Sequence, residues 1–341
     1  MAEKKSYVFE ENNVPFQICH ATNCLALDNN DLLVTWFAGS REGNNDIAIW
    51  ISRFSKGKWE KSVVIADDKD EPNWNPVLHQ LKGGRLLLFY KVGRDIHSWR
   101  TMIQISDDRG ETWTEPRELV PGDKGGRGPV RTKVLTLSDQ SLLAGSSSEQ
   151  GVWTTFTDRS IDEGKSWVRS ESIALNDISY HGEKTVSHTD IEVSEQSFYG
   201  RGIIQPTLWE SEDGNAHMLM RSSEGRIYRA DSTDFGKTWS PAYATSLPNN
   251  NSGIDVVRLS NGSLVLCYNP VAENWGERTP LRLAISKDNG NTWEDIYTLE
   301  EGEGEFSYPS ITRKDQTIYL SYTWNRKRVA VWRFEEKELE E

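Results

Sequence analysis

Short runs of aromatic and aliphatic residues alternate with turn residues along almost the whole chain. The run LLLFY at 86–90 follows Gly83-Gly84, and the run LVLCY at 264–268 follows Asn261-Gly262. Runs of this length, bounded by Gly, Asn and Asp, are typical of β-strands joined by hairpins. No long stretch has the periodicity of about 3.6 residues that marks an amphipathic helix. The pattern therefore predicts an all-β protein.

One octapeptide, S-x-D-x-G-x-[ST]-W, occurs four times, starting at residues 106, 160, 232 and 286, and a degenerate copy starts at 52. Successive starts lie 54, 54, 72 and 54 residues apart. Glycine permits a positive φ, Asp and Ser bond local backbone groups, and Trp packs onto the strands. We therefore interpret the octapeptides as tight turns with a structural role, and their spacing as a repeat architecture.

The repeat length fits a four-stranded antiparallel blade. Five octapeptides and a final unit without one, at 308–334, predict a six-bladed β-propeller that forms a single domain over residues 1–341. We expect the N-terminal strand to pair with the last blade and close the ring. The longer interval predicts an inserted loop or hairpin near 181–200.

Polar residues recur at the end of each first hairpin that lies farther from its turn. The predicted cross-strand pairs are Gln205 with Arg221 to within one residue, Asn75 with Lys91, Gln17 with Arg41, Asp255 with Asn269, Tyr308 with Tyr322, and Arg131 with Ser147. In a propeller these ends converge on one mouth, where Arg41, Lys91, Arg131, Arg221 and Arg278 would form a basic ring. Guanidinium groups bind carboxylates in a bidentate manner. With Trp and Tyr as stacking faces, the mouth is predicted to bind a carboxylated sugar.

Overall charge limits the class of partner. The chain has 39 Lys and Arg residues against 52 Asp and Glu residues, a net charge of −13. This balance argues against nucleic acid and anionic membrane as partners. Three cysteines do not make a disulfide framework, and no signal peptide is visible, so we expect a cytoplasmic protein. No Cys/His spacing predicts a metal site, and no motif predicts a cofactor.

Four segments carry a resemblance to a known family: CHATNC from 19, WFAGSREG from 36, WNPVL from 74 and FYKVG from 89. With the octapeptides, or Asp-boxes, they make the chain resemble the BNR-repeat sialidase (neuraminidase) superfamily, in a branch labelled "predicted neuraminidase". The resemblance implies a tyrosine nucleophile assisted by a glutamate, an aspartate acid/base and three arginines that hold the substrate carboxylate. By position these roles fall on Tyr308, on Asp46 in the loop 42–46, and on Arg221 and Arg278, while Arg41 matches the arginine after the second strand of the first blade.

Two positions depart from the family pattern. Gln17 replaces the first arginine, and Gln205 replaces the glutamate that activates the tyrosine. Glutamine cannot take a proton, so the usual mechanism needs a substitute. His20, next to the missing arginine, is a candidate for proton transfer. Lys91 is a candidate for binding the substrate carboxylate or ring oxygens.

Three functions remain open from the sequence. The first is an exo-acting glycoside hydrolase that releases a terminal acidic sugar, a sialic acid or a related sugar acid, from an oligosaccharide. The second is a lyase or a His20-assisted hydrolase acting on uronate-linked glycans. The third is a propeller that binds glycans without catalysis. The sequence predicts no oligomeric state.

Overall fold

The computed structural model describes residues 5–176, 178 and 199–340. Strands dominate these residues, which confirms the all-β prediction. In chain order the first fourteen strands are β1 (Lys5–Tyr7), β2 (Ile18–Ala26), β3 (Leu32–Gly39), β4 (Ala48–Ser55), β5 (Lys58–Trp59), β6 (Val63–Ala66), β7 (Asn73–Gln80), β8 (Leu86–Val92), β9 (Arg100–Ser106), β10 (Arg117–Glu118), β11 (Leu135–Thr136), β12 (Leu142–Ser148), β13 (Val152–Ser160) and β14 (Val168–Arg169).

The second half of the chain continues the pattern. Its strands are β15 (Arg201–Glu212), β16 (Asn215–Ser222), β17 (Arg226–Ser232), β18 (Tyr243–Pro248), β19 (Asp255–Arg258), β20 (Leu264–Tyr268), β21 (Leu281–Ser286), β22 (Glu294–Glu300), β23 (Phe306–Lys314), β24 (Thr317–Trp324) and β25 (Arg328–Glu335). Helical structure in the described residues is limited to 3-10 turns at Glu11–Asn13 and Ile96–Ser98 and to α1 (Lys337–Glu340). No helix in this part of the chain is long and apolar enough to cross a membrane.

The described strands group into six consecutive antiparallel units, which are β2–β6, β7–β10, β11–β14, β15–β18, β19–β22, and β23–β25 together with β1. The N-terminal strand β1 pairs with β25, with Tyr7 opposite Ala330, as the sequence predicted. The third and fourth units are joined by a short parallel pairing of β13 and β15. The insertion predicted near 181–200 lies outside the described residues except for 199 and 200.

Buried polar side chains join neighbouring units. The hydroxyl oxygens of Thr22 and Ser321 lie 2.9 Å apart and link the first unit to the sixth. Asp255 of the fifth unit accepts hydrogen bonds from Thr207 of the fourth (2.5 Å) and from the Ile311 amide of the sixth (2.9 Å). Lys133, which precedes β11, reaches the same carboxylate at 2.7 Å. Asp255, predicted to contact substrate, is thus committed to joining the units.

The four intact octapeptides form the same turn. At the first, the Gly110 amide donates to Ser106 Oγ at 2.7 Å, and the amide and hydroxyl of Thr112 donate to Asp108. The glycine takes a positive φ of 89° and packs against Leu33 of the preceding unit. The other box glycines, Gly164, Gly236 and Gly290, also have positive φ and also lie against the preceding unit. Each turn therefore holds its loop and docks it on the neighbouring unit.

Cross-strand register is close to the sequence prediction, with small offsets. Arg221 lies opposite Ile204, within one residue of Gln205 as predicted, and Lys91 lies opposite Trp74 rather than Asn75. Asp255 lies opposite Cys267, two residues from the predicted Asn269. The first two differences arise because the hairpin register shifts just past these positions, at bulges that simple turn arithmetic does not contain.

Candidate active site

A cavity that opens to solvent is lined by residues from all six units. In four of the units the first strand has the same backbone feature near the cavity. Its register shifts, and one residue within the shift has a left-handed φ. The residues are Ala21 (φ 53°), Asn75 (46°), Gln205 (52°) and Tyr308 (54°). A positive φ in a residue other than glycine is costly and tends to mark functional sites. Asn75, Gln205 and Tyr308 line the cavity, as does His20 beside Ala21.

Aromatic side chains form much of the cavity wall. The lining contains Phe37, Trp74, Trp99, Trp153 and Trp275. The rings of Trp74 and Trp99 lie 5.3 Å apart, and both indole N–H groups donate to the carbonyl of Gly93, at 2.8 and 3.2 Å. These bonds fix the ring orientations. Flat apolar faces with a few polar groups between them suit a sugar ring.

Tyr308 stands among cationic groups. Its hydroxyl oxygen accepts a hydrogen bond from Arg221 Nη1 at 2.7 Å. The guanidinium carbons of Arg131, Arg221 and Arg278 lie 5.4, 5.6 and 5.2 Å from the centre of the phenol ring. The His20 ring packs 4.2 Å from the same ring. Three guanidinium groups and one imidazole ring therefore surround the phenol of Tyr308.

Arg221 organises the polar side of the cavity. It is 2% exposed, and besides Tyr308 it donates to Gln205 Oε1 at 3.1 Å and to Asn251 Oδ1 at 3.0 Å. The amide of Gln205 therefore positions the guanidinium group through its oxygen. It does not supply the proton acceptor that a glutamate would.

His20 is buried, and its Nδ1 lies 3.0 Å from the hydroxyl oxygen of Thr323. Burial lowers the pKa of His20 well below its usual value, and the charge of Arg326 lowers it further. The imidazole is therefore neutral at pH 7. A neutral ring can accept a proton but holds it weakly.

The two carboxylates of the 42–46 loop face different surroundings. Asp46 is exposed and accepts hydrogen bonds from the amide and hydroxyl of Ser40, both at 2.9 Å, so it shapes the loop. Glu42 lines the cavity and forms an ion pair with Arg326. Burial raises the pKa of Glu42, and Arg326 opposes that rise. The sequence comparison favoured Asp46, whereas the structure brings Glu42 to the cavity.

Glu149 is a cavity residue that the sequence interpretation missed. It directly follows β12, lines the wall and is 7% exposed. Burial raises its pKa to about 7, and the charge of Arg221 opposes the rise. The signal was present, because Ser147 was predicted to face the mouth and Glu149 lies two residues further along the same side of the chain.

A BNR repeat-like domain model matches residues 30–320. The chain belongs to this family. Among solved structures, the Hadza microbial sialidase Hz136 superposes with a TM-score of 0.77 at 17% identity, over 98% of this chain and 69% of that one. A protein of unknown function from Dyadobacter fermentans gives 0.75 at 14%, over 98% of both chains. The intramolecular trans-sialidase from Ruminococcus gnavus, in complex with oseltamivir carboxylate, gives 0.70 at 14%, over 98% and 97%. The fold is therefore sialidase-like.

In this BNR protein the expected basic ring does not line the cavity. Among the described residues, Arg221 is the one member of that ring that lines the cavity. The exposed Arg94, which was not predicted, also lines it. Arg131 donates to the carbonyls of Pro309, at 2.8 Å, and Ile254. Arg278 pairs with Glu305 at 2.7 Å. Both therefore stand behind Tyr308, where they contribute charge rather than direct contact.

The remaining predicted residues lie elsewhere. Lys91 is buried, donates to Thr101 Oγ1 at 2.6 Å and to the Arg127 carbonyl at 2.9 Å, and burial lowers its pKa to about 7. The Tyr322 hydroxyl lies outside the cavity, where it donates a hydrogen bond to Glu300 and accepts one from Trp332 Nε1 at 3.1 Å. Gln17 and Arg41 are exposed and do not line it. No cluster of metal-binding side chains occurs in the described part of the chain.

Proposed function

We propose that this protein is an exo-acting glycoside hydrolase that releases a terminal acidic sugar, a sialic acid or a related sugar acid, from an oligosaccharide. The observation that carries the proposal is the buried contact between Arg221 and the Tyr308 hydroxyl at the wall of an aromatic cavity. This contact supports the proposal because the proposed nucleophilic oxygen and the proposed carboxylate-binding cation are 2.7 Å apart.

We also propose that the six units are the blades of one propeller over residues 1–341. The hydrogen bonds of Asp255 and Lys133 support this arrangement, because they join the third, fourth, fifth and sixth units around one buried point. The cavity then lies at one end of the propeller axis. We expect a cavity in that position to take the terminal sugar of a glycan rather than a sugar within it.

Tyr308 is the proposed nucleophile. A sialidase-type tyrosine is normally assisted by a glutamate, and here Gln205 takes that position. The three guanidinium groups around the ring offer a different assistance, since they stabilise negative charge on the oxygen without accepting a proton. Neutral His20, in contact with the ring, is available to receive the phenol proton transiently.

Arginine side chains near the cavity support an acidic substrate. Arg326 lies beside the start of β2, where its backbone carbonyl accepts a hydrogen bond from the Cys19 amide at 2.8 Å. It is therefore close to the position at which Gln17 replaces an arginine. The Nη2 groups of Arg278 and Arg326 are both buried without a hydrogen bond among the described residues, and both guanidinium groups contact Glu305. Arg221, which lines the cavity, is therefore the proposed contact for the substrate carboxylate, Arg278 and Arg326 add positive charge behind the wall, and Glu42 is the proposed proton donor to the leaving oxygen.

The test is product mass spectrometry on sialylated and uronate-capped oligosaccharides in ¹⁸O water. A heavy-oxygen sugar from an acidic substrate is expected from the wild type. Tyr308→Phe should lower turnover by at least about 100-fold. Tyr322→Phe, a buried tyrosine outside the cavity, should retain turnover per folded molecule. An unsaturated product without added water would instead indicate a lyase, and binding without any product would indicate a glycan-binding protein.

A further inference from the structure

Glu149 is a buried carboxyl that the proposed reaction does not use. It lies on the wall between the cavity and an adjoining pocket that it shares with Lys91, His97 and Ser147. Its side chain is more than nine-tenths buried. Within the described residues, no hydrogen-bond donor reaches its carboxyl, and the charge that acts on it is that of Arg221. A buried carboxyl without donors is costly in its ionised form.

The charged and titratable groups around this wall are few. Those on the cavity side are Arg221, Glu42, His20, Tyr308 and Arg94, and those in the adjoining pocket are Lys91 and His97. Glu42 is paired with Arg326, and Lys91 is engaged by Thr101 and two backbone carbonyls. Arg221 is therefore the cation through which Glu149 and a bound anion would interact.

An acidic sugar brings a second carboxylate to the same guanidinium group. Arg221 already donates to Tyr308, Gln205 and Asn251, which limits what it can offer to two anions. Two carboxylates that share one buried site do not both stay ionised, because their mutual repulsion raises the pKa of one of them. The sugar carboxylate is the stronger acid of the two, so the proton goes to the protein.

We propose that Glu149 is a specificity-determining residue that contacts the bound acidic sugar in its protonated form, so that binding is accompanied by transfer of one proton from solvent to its carboxyl oxygen. In this form the acid group donates a hydrogen bond to the sugar and also accepts one from it. This inference rests on the proposed function, because it concerns an acidic ligand in that cavity.

The pKa of about 7 for Glu149 in the free protein fixes the pH range of the effect. Below that value the proton is already present and binding needs no uptake. Above it the affinity should fall by about tenfold per pH unit, so that the dissociation constant rises about tenfold between pH 6 and pH 8. At pH 8 the uptake should approach about one proton for each sugar bound.

The test is calorimetric titration of the full chain at pH 6 and pH 8, each in two buffers with different ionisation enthalpies. The probes are N-acetylneuraminic acid and glucuronic acid, with glucose as the neutral match for glucuronic acid. The wild type should take up a proton at pH 8 with the acids but not with glucose. Glu149→Gln, which keeps the shape of the side chain, should bind the acids without uptake and with no loss of affinity between pH 6 and pH 8.

Glu42→Gln removes the other cavity carboxyl, which is the proposed proton donor, so turnover should fall while the proton uptake on binding stays in place. Uptake that persists in Glu149→Gln, or that disappears only in Glu42→Gln, would overturn the inference. Binding of an acid by the wild type without uptake at pH 8 would overturn it while leaving the proposed function intact. Failure of both acids to bind at either pH would contradict the proposed function as well.

Discussion

The carboxylates of the octapeptide turns and the carboxylate of Glu149 have opposite surroundings. Asp108 accepts hydrogen bonds from the hydroxyl and amide of Thr112 and from Ser106, and these bonds lower its pKa to about 2. At Asp162, burial would raise the pKa, but bonds from Ser166 and Ser160 outweigh it and the value is again about 2. Glu149 has burial without such donors, and its pKa rises to about 7.

The difference separates a structural carboxylate from one that is available for binding. The turn aspartates are satisfied by residues two to four positions away, so their role is complete within the turn. Glu149 leaves its hydrogen-bonding capacity to whatever enters the cavity. Two buried arginines of the fourth unit differ in a similar way. Arg221 donates to a side chain of the cavity wall, whereas Arg229 donates to a backbone carbonyl in the octapeptide turn of the fifth unit.

The largest expected effect tests those two arginines. Arg221→Gln removes the donor to the Tyr308 hydroxyl and should lower kcat by about 10²–10³-fold, the range for loss of one preorganised donor. Arg229→Gln breaks a pair with Asp231 at 2.9 Å and should destabilise the fold while turnover per folded molecule stays unchanged. Initial rates, corrected for the folded fraction, measure both. Equal losses of turnover in the two variants would remove the functional distinction.

The next-largest effect concerns how the carboxyl of Glu149 changes the stability of the protein with pH. A carboxyl whose pKa is raised on folding destabilises the native state when it ionises, so the cost grows from about pH 4.5 to pH 7 and is full above pH 7. Glu149→Gln should therefore be more stable than the wild type at pH 8 by about 3 kcal/mol, and equal to it near pH 4. Urea unfolding at both pH values provides the measurement.

Glu42→Gln is the control for that comparison. Glu42 is one of two carboxylates paired with the buried Arg326, so its removal weakens that ion-pair network and should destabilise the protein at pH 8. If Glu149→Gln is also destabilising at pH 8, the carboxyl of Glu149 has a partner that stabilises its ionised form, and the contrast with the turn aspartates fails.

The turns were predictable from sequence because their contacts are local. Ser106, Asp108, Gly110 and Thr112 satisfy one another within seven residues. The N-terminal strand pairing was also predictable, since an unpaired strand at the start of a repeat array has few alternatives. These features need only residue types and spacing.

The cavity was predicted only in part, because its geometry depends on backbone bulges and side-chain direction. Turn arithmetic correctly brought Gln205, Tyr308 and Asn75 to one end of their hairpins, but it contains no left-handed φ at those residues. It also cannot tell a side chain that enters the cavity from one that turns toward backbone carbonyls, as Lys91 does. For the same reason it did not separate Glu42 from Asp46.

A smaller effect tests how the turns dock on the preceding unit. Gly236 has a φ of 72°, and an added Cβ would lie 2.7 Å from Leu143. Gly236→Ala should lower the free energy of unfolding by about 2 kcal/mol, from backbone strain and from the contact. Gly84→Ala has a similar φ of 88° with nothing within 4 Å, so it isolates the strain. Equal losses in urea unfolding would show that docking contributes nothing.

The smallest effect concerns a single turn carboxylate. Asp234 accepts hydrogen bonds from the amide and hydroxyl of Thr238, at 2.9 and 2.7 Å, and these bonds outweigh partial burial and lower its pKa. Asp234→Ala should cost about 1 kcal/mol at pH 7, similar to loss of a helix cap, without a change in turnover. A lowered pKa gives stability that is present above the ordinary value of about 3.8 and is lost as pH falls through the lowered value.

The cost of Asp234→Ala should therefore shrink as the pH falls below about 4, which is opposite in sign to the change at Glu149. Asp213→Ala is the control in the same unit, because Asp213 is an exposed turn residue for which no hydrogen bond occurs within the described residues. Urea midpoints of both variants between pH 3 and pH 7 make the comparison. A cost for Asp234→Ala that does not vary with pH would mean that the turn depends on the shape of the side chain rather than on its charge, and would leave Glu149 as the carboxyl with a pH-dependent role.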